Sequence, residues 1–154
     1  MAAEFDLKSY FGAGPLRFGM TRKQVEDVLG PPDKTKRTPF RNETQEFRRE
    51  SGLQTVYSAQ GEALVEISLY GNQSVAFEDL DVFHTTGTKV IKHLAEADGK
   101  PLETVGILVF LNLGITLTGF FQEDEPGQKS ISIFVKGRWD SEIEDLKPFK
   151  MKEK

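Results

Sequence analysis

The chain has 154 residues and a mass of 17.3 kDa, the size of one domain, and folding at that length buries roughly 68–70% of the unfolded surface. A hydrophobic content of 38% with 12 Phe excludes a disordered chain, no run approaches the roughly 18 apolar residues of a membrane helix, and the absence of cysteine excludes disulfides, thiolate metal ligands and Cys nucleophiles. The net charge of −4 divides into +2 over residues 1–61, −9 over residues 62–145 and +3 over residues 146–154, a balance that disfavours nucleic acid and suits a basic protein partner.

The first residues carry Glu4, Asp6 and Lys8 without the basic and apolar regions of a secretory signal, so a cytoplasmic protein with a flexible leader over residues 1–12 is expected. The first well-marked element is a helix. Thr21 is an N-cap, Gln24 completes a capping box, and Val25, Val28 and Leu29 form one apolar stripe. Gly30 suits a left-handed C-terminal position, and Pro31-Pro32 prevent continuation.

Residues 33–50 are polar and rich in Lys, Arg and Thr, which predicts a mobile connection and then an edge strand near Gln45–Arg49. Leu53–Tyr57 and Ala63–Tyr70 read as a hairpin around Ser58-Ala59-Gln60-Gly61. In the second of these strands, Val65, Ile67 and Leu69 are assigned to the core and the alternate residues to a partly wet face. Val75–Phe77 is a short extended segment. A second helix is expected over Thr86–Ala97, burying Val90, Ile91, Leu94 and Ala97, and Asp98-Gly99-Lys100-Pro101 ends it.

Strands follow at Thr104–Leu111, Ile115–Phe121 and Lys129–Lys136, where Ile131, Ile133 and Val135 alternate with polar residues. Residues 137–154 read as an exposed tail anchored by Trp139, Ile143 and Phe149, with a flexible Lys-rich end from 146. Short links between strands imply an α+β domain: a mainly antiparallel sheet with two helices packed on one face, in two helix-then-strands units. A single domain over residues 1–154 is expected, with its core in about 15–140. The core list is Val25, Val28, Leu29, Val65, Ile67, Leu69, Val90, Leu94, Ile115, Leu117, Ile131 and Ile133.

Chemistry leaves few marks. His84 and His93 are nine residues apart, a poor spacing for a metal pair. Asp79 and Asp81 precede a helix, where acids serve its dipole. Gly12-Ala13-Gly14 lacks the preceding strand and third glycine of a dinucleotide fingerprint, and no phosphate loop or nucleophile elbow is present. No enzyme activity, cofactor, metal, nucleic acid or membrane partner is expected from this pattern.

Two stretches carry a resemblance. Gly19-Met20-Thr21-Arg22-Lys23-Gln24-Val25 with Leu29-Gly30-Pro31-Pro32 resembles a helix motif of the outer-membrane-assembly lipoprotein superfamily and of β-lactamase-inhibitor-like folds. The lipidated Cys of those lipoproteins is missing, so their anchoring is not implied. Phe77–Phe83, the helix with Val90, Ile91 and Leu94, Leu113-Gly114-Ile115-Thr116-Leu117 and Ser132–Asp140 look similar to small bacterial immunity-type proteins. That resemblance implies a protein that covers the working surface of a toxin or effector partner and has no catalytic residues. An adaptor or assembly-factor module using a sheet edge or face is the alternative, and a small-molecule-binding domain or minor enzyme the third.

For the leading reading, the partner-facing residues are the acidic blocks with their aromatic and arginine neighbours: Arg138, Trp139, Asp140 and Glu142, and the loop Glu123, Asp124 and Glu125.

Overall fold

The computed structural model describes residues 5–39, 41–50, 52–71, 73–120 and 129–150. In chain order these form β1 (Phe5–Lys8), β2 (Gly12–Ala13), β3 (Leu16–Arg17), α1 (Arg22–Leu29), β4 (Lys34–Arg37), β5 (Thr44–Arg48), β6 (Leu53–Tyr57) and β7 (Leu64–Tyr70). After them come β8 (Val75–Phe77), β9 (Leu80–Asp81), α2 (Gly87–Asp98), β10 (Leu102–Thr104), β11 (Ile107–Phe110), β12 (Ile115–Thr118), β13 (Ser130–Phe134), a 3-10 helix (Asp140–Asp145) and β14 (Lys147–Pro148). No helix among them is long and apolar enough to cross a membrane.

Nine strands build an entirely antiparallel sheet in the order β14-β10-β11-β12-β13-β7-β6-β5-β4. Its register explains the core. Leu53, Leu69, Ile131, Leu117 and Leu108 lie opposite one another across five strands, and so do Thr55, Ile67, Ile133, Ile115 and Phe110. The two-residue period of a strand puts both rows on one face. Val25 of α1 and Val90, Ile91 and Leu94 of α2 join the same buried cluster.

A five-stranded sheet, β3-β2-β1-β8-β9, completes the fold, with β1 and β8 its parallel pair. The close turn from β2 into β3 explains Gly12: a Cβ there would stand 2.0 Å from the Leu16 carbonyl oxygen. The architecture is thus mixed helix and strand, mostly antiparallel, as the sequence implies.

Local signals were reliable where chemistry is local. Thr21 Oγ1 accepts the Gln24 N–H at 3.1 Å, and Gln24 Oε1 accepts the Thr21 N–H at 2.9 Å, closing the capping box. Gly30 has φ +88° and ψ 176°, so it leaves the helix with extended ψ rather than in the left-handed helical region. Thr86 stands at the N-cap position of α2 without a side-chain capping hydrogen bond, and Gly99 ends the helix in the left-handed conformation.

Several expectations need correction. Among the described residues the 3-10 helix makes three helices rather than two. β7 and β13, expected in separate units, are direct neighbours. Residues 33–50 hold a connection that is itself a strand, because β4 pairs with β5 over its whole length. Within the N-terminal stretch expected to be flexible, Phe5–Lys8 form β1, the central strand of the smaller sheet, with Phe5 and Leu7 buried. At the other end β14 pairs with β10, and the Phe149 N–H donates to Pro101 O at 2.9 Å.

Three residues leave the core list. Val28 is 47% exposed and Leu29 is partly buried, since α1 presses mainly its Val25 side inward. Val65 is displaced by a bulge: Tyr57 pairs with Leu64 and Val56 with Glu66, so Leu64 takes the core position. Ala97 is exposed, and the next residue, Asp98, is buried in its place, accepting the Asn112 N–H at 2.8 Å.

Chemical denaturation checks this ranking. Ile133→Ala is expected to cost about 2–5 kcal/mol through lost burial and a cavity. Val28→Ala stays within about 0.5 kcal/mol, Thr21→Ala costs about 0.5–2 kcal/mol, and Thr21→Ser is nearly neutral.

Candidate functional site

The second face of the large sheet carries the residues of interest. With Thr44, Glu46 and Arg48 facing the core, alternation turns Glu43, Gln45 and Phe47 the other way, and Glu66 of β7 shares that side. After β13 the chain turns through Gly137, with the Asp140 N–H donating to its carbonyl at 3.1 Å, and lays Arg138 over these carboxylates. Arg138 Nε donates to Glu66 Oε1 at 2.7 Å, and Nη1 and Nη2 donate to Glu43 Oε2 and Oε1 at 2.7 and 3.0 Å.

This forked grip on Glu43 is the strongest arrangement available to the pair. The Arg138 and Glu43 side chains are only 12% and 10% exposed. Burial alone would lower the basicity of Arg138, but the hydrogen bonds to Glu43 and the charge of Glu66 outweigh it and hold the guanidinium above its ordinary value. Arg138 is therefore a permanent cation held between two anions.

Its neighbours build outward from that point. The Trp139 ring lies 6.3 Å from Phe134, tilted by 52°, and Phe134 meets Tyr10 edge-on at 6.1 Å. Arg41 Nη1 donates to Arg138 O at 3.3 Å and Nη2 to Glu142 Oε2 at 2.7 Å. Arg41, Glu66, Arg138, Trp139 and Glu142 line a small polar cleft of about 200 Å³.

The 3-10 helix that follows has no buried residue. It displays Asp140, Glu144 and Asp145, with Glu142 half-buried and Ile143 48% exposed. Beside it, Glu103, Thr104 and Val105 border an open cleft with Asp145 and Lys147. Val105 stands at the tip of the β10–β11 hairpin, 96% exposed with φ +41°. A β-branched residue in that region is strained, and its side chain stands in solvent beside Glu103, Asp145 and Lys147.

Of the residues expected at the site, Arg138, Trp139, Asp140 and Glu142 are brought together, with Arg138 turned inward onto Glu43 and Glu66. Glu123, Asp124 and Glu125 lie outside the described residues. Sequence reasoning missed Glu43, Glu66, Arg41 and Val105. The one local signal was an acid, Glu66, on the polar side of an alternating strand.

A second polar cluster sits under α1 on the core face. Glu46 accepts from Tyr57 at 2.8 Å, Arg22 Nε at 3.0 Å and Arg48 Nη1 at 3.3 Å, while Arg48 Nε donates to Gly30 O at 3.0 Å. Arg22 also reaches Glu62 Oε2, which accepts from Thr44. Glu46 and Arg48 are both 3% exposed, and Arg48 Nη2 is buried without a hydrogen-bond partner among the described residues. Burial pushes the Tyr57 phenol up to about 12.

Asp81 turns back to His84, 3.0 Å away, rather than toward the start of α2, whose first turn contains no acid. His93 stands 3.5 Å from Glu78. Comparison with family models, curated proteins and solved structures finds no match.

Two measurements check the electrostatics. Arg138→Ala strands the buried Glu43 carboxylate and is expected to cost about 3–5 kcal/mol, whereas Glu142→Gln, at an exposed pair, costs at most about 1 kcal/mol in urea unfolding. Tyr57 titrates higher folded than unfolded, so its contribution is complete below pH 10 and is lost as pH rises through about 12. Tyr57→Phe should therefore flatten the alkaline fall in stability between those values, by an amount on the order of 2–3 kcal/mol.

Proposed function

We propose that this chain is a protein-binding module of the immunity type, which covers the working surface of a basic partner with its acidic 3-10 helix and the neighbouring hairpin tip. One observation carries the reading: a helix with no buried residue projects acids and the half-exposed Ile143, and its Asp145 borders the same open cleft as the almost fully exposed Val105. Ordinary solvated surfaces do not need a strained apolar tip, and apolar centres within a charged rim are the common anatomy of protein interfaces.

The division of labour follows from burial. Arg138 and Trp139 position the segment, because their side chains are engaged with Glu43, Glu66 and Phe134. Asp140, Glu142, Glu144 and Asp145 supply the field that draws in a basic surface and sets its orientation. Val105 and Ile143 supply apolar contact area. The resemblance of the chain to small bacterial immunity-type proteins supports a toxin or effector domain as the partner.

A photocrosslinking residue at position 143 in cells tests this. One discrete partner should be captured, and Glu144→Lys with Asp145→Lys should abolish capture without lowering the thermal midpoint. Equal capture from position 23 on α1, or no discrete product at 143, contradicts the reading.

A further inference from the structure

The large sheet ends at β4, whose four residues, Lys34-Thr35-Lys36-Arg37, are all exposed. Its inner side is satisfied by β5, in the register Lys34 to Phe47 through Arg37 to Thr44, and the next residue, Thr38, donates its N–H to Glu43 O at 2.8 Å. In an antiparallel ladder, successive residues turn their N–H and C=O groups to alternate neighbours. With Thr38 bonded inward, Thr35 and Arg37 turn theirs outward, where the sheet has no further strand among the described residues. An open row of this kind accepts an added strand through main-chain hydrogen bonds.

The side chains decide which strand. Lys34 and Lys36 share one side of β4, and Arg37 lies on the other. Among the described residues, Lys34 and Lys36 pair with no carboxylate, and Arg37 donates to the backbone and side-chain oxygens of Asn42 at 3.0 and 3.5 Å. Three cations in four residues repel a second copy of the same edge, which protects the protein from self-pairing. The same charges attract an acidic strand. Four residues span about 13 Å, enough to fix a short peptide in register.

We propose that β4 is a docking edge for an extended acidic segment of another protein, with carboxylates at alternate positions facing Lys34 and Lys36. The residues of this edge are distinct from those of the acidic helix, which contacts the β4–β5 connection through Arg41 and Glu142. The edge takes a partner of the opposite charge.

The probe is a fluorescent, end-blocked Glu-Val-Glu-Val-Glu-Val peptide, titrated by anisotropy against the full chain, with its Lys-Val counterpart as control. The acidic peptide should bind and lose at least about tenfold in affinity between about 50 mM and about 500 mM salt. Lys34→Glu with Lys36→Glu should weaken it by a similar factor and admit the lysine peptide. Methylating alternate amides of the probe removes the donors that face β4 and should also abolish binding, with the protein unchanged.

Binding that survives methylation is general charge attraction and overturns the proposal. Failure of the acidic peptide to bind shows that the charges only guard the edge, which also overturns it. So does a concentration-dependent dimer lost on charge reversal, because the edge would then serve a second copy.

Discussion

A single guanidinium ties the end of this chain to the rest of the molecule. Arg138 joins the approach to β5, through Glu43, to β7, through Glu66, across 95 and 72 residues of sequence. An arginine buried to this degree is tolerated only because its Nε and its paired Nη donors each meet a carboxylate in the plane of the guanidinium. Once it is seated, the path of the following residues is constrained. Trp139 falls on Phe134, Arg41 closes over the Arg138 carbonyl, and the chain runs through the 3-10 helix to pair β14 with β10.

The same short stretch of chain places charge on both faces of the sheet. Glu43 points to the outer side, while Glu46 and Arg48 are buried beneath α1 with Tyr57, Thr55 and Arg22. Shifting β5 by one residue would exchange Glu46 and Arg48 with Gln45 and Phe47, leaving both charged clusters without partners. The cost of desolvating these groups is thus offset only in one register. Polar pairing, together with the buried Val25 of α1 and the Trp139–Phe134 contact, fixes where β5, α1 and the C-terminal segment sit relative to one another. The large sheet consequently ends in two chemically different regions: a basic open edge at β4, and an acidic helix and hairpin tip beside β10.

What could be read from the sequence was what neighbouring residues decide. The Thr21–Gln24 capping box, the Gly99 stop, and the alternation around Ile115, Leu117, Ile131 and Ile133 all depend on contacts within a few residues or on a simple period. Lys-Thr-Lys-Arg has no apolar face and so reads as a connection, while the pairing that makes it β4 depends entirely on β5. Val65 was placed in the core by strict alternation, which a bulge breaks without any mark in composition. At the site, Trp139 and its acids were visible as residue types. The inward turn of Arg138 was not, since its partners are remote in sequence and meet it only after the sheet has formed. Val105 was hidden for another reason: Thr104–Leu111 reads as one continuous strand, whereas the chain turns at Val105-Gly106 between β10 and β11.

Amide hydrogen exchange of the native protein tests most directly whether Arg138 holds the acidic helix as a fixed surface. The Glu142, Leu146 and Phe149 amides, bonded to Trp139, Ile143 and Pro101 carbonyls, should be protected in the native chain. In Arg138→Lys, which cannot reproduce the fork, these three should lose protection together while the amides of β7 and β13 keep theirs. Exchange of residues 140–149 at free-peptide rates in the native protein, or unchanged protection in the variant, would contradict the account.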